Sequence, residues 1–230
     1  CNHPGRNKTL KIELKEISKS FGPVAANTKI NLSVTSGETL GLLGENGAGK
    51  TTLMNILTGL YKPDSGQILI RGQQREFSNP RDAIKNGIGM VHQHFMLVPV
   101  FSVSENVILG NEPISALNRI NLKRAREQVL NISSEYNLDV DPDELVERLP
   151  VGVQQRVEII KILFREAKLL IFDEPTAVLT PQEVSDFFRI VNSLKSSGKA
   201  IIFITHKLHE VIQICDRINI LRRGKVVGEV

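Results

Sequence analysis

Apolar and polar residues alternate where the chain first shows a pattern. Leu10, Ile12 and Leu14 fall two apart, and Leu32 and Val34 do so again before the turn Ser36-Gly37. A period of two puts the apolar side chains on one face, which predicts half-buried strands in a small antiparallel sheet. Thr39-Leu40-Gly41-Leu42-Leu43 reads as a further strand entering a glycine-rich turn, and Thr51 to Leu60 has helical composition until Gly59 and Pro63 break it. Two later runs, Leu169 to Phe172 and Ala200 to Ile204, are apolar without alternation. Such runs suit strands of a parallel sheet covered on both faces by helices. Between them, Thr180-Pro181-Gln182-Glu183 reads as a capping box with proline at the first helical position. Val184, Phe187, Phe188, Val191 and Leu194 then follow at helical spacing as far as Gly198. This is a strand-helix-strand crossover.

The middle of the chain, from about Ser102 to Phe164, carries helical stripes at Leu122, Ala125, Val129 and Ile132 and again at Val157, Ile160 and Leu163, with no strand run. It predicts a helical insertion, about residues 100–165, in one α/β domain spanning 10–230. Residues 1–9 carry no pattern and open on Cys1, as at a processed or engineered boundary. They are set outside the fold as unstructured.

Composition narrows the class. The 230 residues are 41% hydrophobic and 23% charged, ordinary globular proportions. The longest apolar run, Ala200 to Ile204, is far short of the roughly 18 residues a membrane span needs, and the start is too polar for a secretory signal. The chain is therefore not expected to cross a membrane itself. Cys1 and Cys215 stand at opposite ends, with neither a disulfide framework nor metal-ligand spacing, which fits a reducing cytosol; Cys215 is expected to be a small buried residue. Positive charge exceeds negative only slightly, 29 Lys and Arg against 25 Asp and Glu, and it is scattered, which points away from nucleic acid.

The chemistry begins at Gly44-Glu45-Asn46-Gly47-Ala48-Gly49-Lys50-Thr51, which matches G-x-x-x-x-G-K-[ST] between a predicted strand and a predicted helix. Without Cβ atoms, the glycines let backbone N–H groups wrap phosphate oxygens at a helix N-terminus. Lys50 supplies charge to the β- and γ-phosphates, and the Thr51 hydroxyl can join a Mg²⁺ shell. This loop alone does not separate a kinase, a GTPase and an ATPase. Leu169-Leu170-Ile171-Phe172-Asp173-Glu174 adds two carboxylates at the end of a buried strand: Asp173 to orient Mg²⁺ through water, Glu174 to activate the attacking water. The fold class predicted is an α/β P-loop NTPase with a parallel-sheet core, an N-terminal antiparallel β subdomain and an α-helical insertion.

From about Leu10 to the end, these elements and their order resemble the nucleotide-binding domains of ABC transporters. The resemblance implies an ATPase that uses ATP and Mg²⁺. It implies ATP contacts from Gly44, Glu45, Asn46, Gly47, Ala48, Gly49, Lys50, Thr51 and Thr52, with Phe21 stacking on adenine. Gln93, in Met90-Val91-His92-Gln93-His94, corresponds to the glutamine that reaches Mg²⁺ beside Thr51 and Asp173 and couples nucleotide state to membrane subunits. His206 corresponds to the family's switch histidine, a γ-phosphate partner that acts with Glu174 and Gln93. Leu149-Pro150-Val151-Gly152-Val153-Gln154 stands where the family signature, usually Leu-Ser-Gly-Gly-Gln, meets the ATP of a partner domain. This copy is degenerate: Pro150 replaces the serine and Val151 the first glycine, while Gly152 and Gln154 remain. Thr180 likewise stands where an aspartate usually makes a cross-dimer contact.

The segments Val91 to Pro99 and Val153 to Ile159 resemble the importers of simple sugars and nucleosides, with nucleosides favoured. That branch implies a peripheral subunit at the cytoplasmic face of the cell membrane. Its partners would be permease subunits and a second nucleotide-binding domain, which can belong to the same longer chain. Two other readings compete. A soluble ABC ATPase clamping ribosome or DNA would share the fold. A chromosome-type clamp, however, needs a heptad-rich insertion between the motifs, and none is present. A small-molecule P-loop kinase leaves His206 and the signature-like segment unexplained.

Overall fold

The structure, a computed structural model, describes residues 10–114 and 120–230; the expectation for residues 1–9 lies outside them. The chain opens with a long hairpin, β1 (Lys11–Phe21) and β2 (Val24–Thr35), followed by β3 (Thr39–Leu43) and α1 (Lys50–Leu57). Next come β4 (Ser65–Ile70), β5 (Gln73–Arg75), α2 (Pro80–Lys85) and β6 (Ile88–Val91). The helical middle contains α3 (Val103–Ile108), α4 (Leu122–Glu135), a 3-10 turn at Val146–Arg148, and α5 (Val151–Phe164). β7 (Leu169–Asp173), α6 (Pro181–Ser196), β8 (Ala200–Thr205), α7 (Leu208–Ile214), β9 (Arg217–Arg222) and β10 (Lys225–Glu229) complete the chain.

Two sheets form among the described residues. β2, β1, β4 and β5 lie antiparallel in that order, and the other sheet runs β10-β9-β3-β8-β7-β6. In the second sheet β9, β3, β8, β7 and β6 are parallel and only β10 is antiparallel to its neighbour. The apolar runs follow from this position. Leu169, Ile171, Ile202 and Ile204 pack into a core shared with the antiparallel sheet and α1. Their neighbours Leu170, Phe172, Ile201 and Phe203 enter a second core with residues of α4, α5 and α6. Both faces of the strands are buried, so no alternation survives. Phe172 and Phe187 meet edge to face with ring centroids 5.3 Å apart, which locks α6 over the sheet.

Between β6 and β7 the regular elements among the described residues are helices, joined by loops that carry two isolated bridges, Ser102 to Leu145 and Ile114 to Ile120. Among the described residues no helix is long and apolar enough to cross a membrane. Cys215 is only partly buried and is a free thiol, pushed up to about 12 chiefly by burial.

Candidate active site

Parallel strands bring their C-terminal ends to one edge, and this edge collects the predicted site. β3 ends at Leu43 and passes into the loop 44–49; β7 ends at Asp173, and β8 ends at Thr205, next to His206. β6 ends at Val91, paired in register with Phe172, so His92 and Gln93 emerge beside Asp173.

The loop has room only for glycine where it touches the rest of the fold. A Cβ on Gly44 would sit 2.4 Å from the Leu221 carbonyl oxygen, and one on Gly49 2.3 Å from that of Ala26. Gly49 also has φ 103, in the left-handed half of conformational space. Asn27 donates to the Gly49 carbonyl at 3.1 Å, tying the loop to β2. Gly49 is the N-cap of α1, and no side chain caps that terminus. The first-turn N–H groups of Lys50, Thr51 and Thr52 therefore lack intrahelical partners and suit phosphate oxygens. The Lys50 ammonium arches back over the loop, donating to the carbonyls of Gly44 at 2.6 Å and Glu45 at 3.0 Å. Burial lowers its pKa, opposed by the charges of Glu174 and Asp173.

Asp173 is shifted the other way. Burial raises its pKa first and Glu174 adds to the rise, while His92 and Lys50 oppose it. A carboxylate held reluctant to ionise beside a second carboxylate is a site that gains from a cation. Among the described residues no three His, Cys, Asp or Glu side chains gather as a metal cage. Mg²⁺ at a nucleotide needs none, since it takes one or two protein oxygens together with phosphate oxygens and water. Thr51 at the start of α1 and Asp173 fit that donor set.

Glu174 departs from regular strand. Its φ is 46, unusual for a side-chain-bearing residue, and its N–H donates to the Ile204 carbonyl of β8 at 3.0 Å. The turn brings its carboxylate to Nδ1 of His206, with Oε2 at 3.0 Å. Gln93 is exposed in the loop after β6. Farther along that loop both backbone polar groups of Met96 are gripped from α5: Glu158 accepts its N–H at 2.7 Å and Lys161 donates to its carbonyl at 2.9 Å. Sequence reasoning missed this clamp because a side chain gripping a distant peptide group leaves no periodic signal. Phe21, at the end of β1, meets Tyr61 edge-on with centroids 5.3 Å apart and is 44% exposed, so part of its ring is open to a ligand.

The signature-like segment begins α5. Pro150 is the N-cap and makes no side-chain capping bond; Val151 is 40% exposed. Gly152 donates its N–H to Oε1 of Glu183 at 3.2 Å, and a Cβ there would sit 2.7 Å from that oxygen. Gln154 folds back onto the Leu149 carbonyl, Val153 is partly buried, and Gln155 donates to the buried carbonyl of Pro175, next to Glu174. Glu183 was legible as the capping partner of Thr180 but not as the residue that joins α6 to the start of α5.

A glycine-rich loop between β3 and α1, facing two carboxylates at the end of β7, a parallel strand separated from β3 by β8, defines a P-loop nucleotide-binding protein. The chain belongs to the ABC transporter family, whose model matches residues 27–177. It is 50% identical over 224 residues to the nucleoside import ATP-binding protein NupA of Lactococcus lactis subsp. cremoris, covering 97% of this chain and 44% of that protein. It is 52% identical over 214 residues to the guanosine import ATP-binding protein NupO of Bacillus subtilis, covering 93% of this chain and 42% of that one. The fold is similar to the dimeric structure of MJ0796, a bacterial ABC transporter cassette: 25% identity, TM-score 0.79, 95% of this chain and 97% of that chain. The chain thus spans less than half the length of the two import proteins.

Proposed function

We propose that this chain is an ATP-binding and ATP-hydrolysing domain that powers import of a nucleoside or simple sugar through a permease. The observation that carries the reading is the meeting, at one sheet edge, of the Lys50 loop with the Glu174 and His206 pair. The names of NupA and NupO favour nucleosides within that class. On this reading the domain sits peripherally at the cytoplasmic face of the membrane.

The loop 44–52 wraps the phosphates, with Lys50 exchanging the carbonyls of Gly44 and Glu45 for phosphate oxygens. Phe21 offers its open face to the adenine. Thr51 and Asp173 would hold Mg²⁺, with Gln93 reaching toward the same position from the loop after β6; such an ion would supply positive charge against the phosphates. Glu174 accepts the proton of the attacking water, and His206 keeps that carboxylate in place and hydrogen-bonds the γ-phosphate. A second ABC nucleotide-binding domain, possible within the same longer protein, completes the site with its own signature. Pro150, Val151, Gly152, Val153 and Gln154 face the partner's ATP in return. The test is calorimetry with Mg-ATP: the parent should bind in the micromolar range and Lys50→Ala should lose most of that binding. Equal affinity would remove the loop from the account.

A further inference from the structure

One buried carboxylate behind this site has no role in the reading above. Glu210, on α7, is 1% exposed. Its Oε1 accepts the Thr176 hydroxyl at 2.7 Å, and its Oε2 accepts the Thr205 hydroxyl at 3.1 Å. Both threonines are buried as well. Thr176 lies two residues after Glu174, and Thr205 immediately precedes His206, so the two oxygens of one side chain grip the backbones that carry the pair. Lys207 completes the arrangement. Its ammonium lies 3.1 Å from Oε1 of Glu210 and 3.3 Å from the Thr176 hydroxyl, while its N–H donates to the Thr205 hydroxyl at 3.1 Å.

Stability alone explains this network poorly. Desolvating the Glu210 carboxylate offsets much of what its partners return, and apolar side chains of similar volume generally serve a core as well. Positioning explains it better. Glu174 has φ 46, a conformation that a side-chain-bearing residue keeps only where its surroundings over-determine it. The hydrogen bond from the Glu174 N–H to the Ile204 carbonyl supplies one restraint and the Thr176–Glu210–Thr205 bridge a second, across the same two strand ends. We propose that Glu210 is a positioning residue for ATP hydrolysis, which holds the Glu174 carboxylate and the His206 imidazole at hydrogen-bonding distance through Thr176 and Thr205. Buried as it is, Glu210 acts through the two threonines, and its role rests on the hydrolytic role proposed above.

The test uses the full-length protein assembled with its permease subunits and saturating Mg-ATP. Glu210→Gln loses the charge and one acceptor oxygen but keeps the volume, and Thr205→Val removes a single hydroxyl with little change of shape. Each should lower kcat about tenfold while leaving KM for ATP within about twofold, because the loss falls on the transition state. Combined, the two should be no worse than the more severe single change, since both break one bridge. Thr205→Val leaves the Glu210 and Lys207 pair intact and so reports on the bridge even if Glu210→Gln does not fold. Parent-like kcat in Thr205→Val, or a rise in KM matching the fall in kcat, overturns the positioning role alone. An unsubstituted assembly that binds ATP without hydrolysing it overturns the hydrolytic role and this proposal with it.

Discussion

Nδ1 of His206 lies 3.0 Å from Oε2 and 3.1 Å from Oε1 of Glu174, joining the residues that follow β7 and β8. The two are unequally placed: the Glu174 side chain is 14% exposed and that of His206 46%. The carboxylate is thus set into the sheet edge while the imidazole stands over it with its far side open. His206→Ala should lower kcat by about one to two decades, the worth of a hydrogen bond to a charged group, and change ATP affinity far less. Steady-state ATPase assays would contradict this if KM rose and kcat did not change.

Asp173 yields a prediction about stability. Its pKa in the fold is raised, first by burial and then by Glu174, so the native state holds this proton more tightly than the unfolded chain does. At neutral pH, where both states are ionised, Asp173 therefore disfavours the fold; the penalty fades as pH falls through the folded value and is gone below the unfolded value of about 3.9. Asp173→Asn should raise Tm without nucleotide at pH 7, by an amount that shrinks as the pH is lowered into the carboxylate range. The same change should weaken Mg-dependent ATP binding. A Tm gain that stays constant with pH would show that the charge of Asp173 is not its source.

The degenerate signature predicts an asymmetric pair of sites. Pro150 has neither hydroxyl nor N–H to offer a partner's phosphate, and the Gly152 N–H is already engaged by Glu183. Losing one hydrogen bond to a charged phosphate costs about 1.5–3 kcal/mol. The domain paired with itself should be a feeble ATPase. Restoring Pro150→Ser and Val151→Gly together should raise the rate and make it depend on protein concentration. If the restored domain is neither faster nor more dimeric at saturating Mg-ATP, the asymmetry has another origin.

The parts of the fold legible beforehand were those where local pattern and tertiary position agree. β7 and β8 were plain because both faces are buried, and α6 because Thr180 and Glu183 make both bonds of a capping box. α1 ends at Leu57 rather than Leu60: Gly59 turns with φ 77, and the Leu60 and Tyr61 N–H groups both fold back to the Asn55 carbonyl. β6 escaped notice because its four residues include Gly89, kept small by α5; a Cβ there would lie 2.9 Å from that of Ile162. β9 was hidden because Asn219 is buried in it and Arg217 reaches across to Glu38 and Glu229, ion pairs fixed only by the tertiary fold. The alternation in β1 breaks at a bulge, where Glu16 has φ 54 and the apolar step from Leu14 to Ile17 becomes three. In the site, the residues set by a contiguous motif were visible. Those acting through side-chain hydrogen bonds to other elements, Glu158, Lys161 and Glu210, were not, since nothing local marks the residue they hold.

Glu174→Gln tests the central claim most directly, because the amide keeps the shape of the side chain and removes the base. With Mg-ATP, and with the partner domain and permease present, the variant should bind ATP about as tightly as the parent and turn it over at least about a hundredfold more slowly. Hydrolysis at the parent rate would contradict the account, since the proton of the attacking water would then be going somewhere other than Glu174.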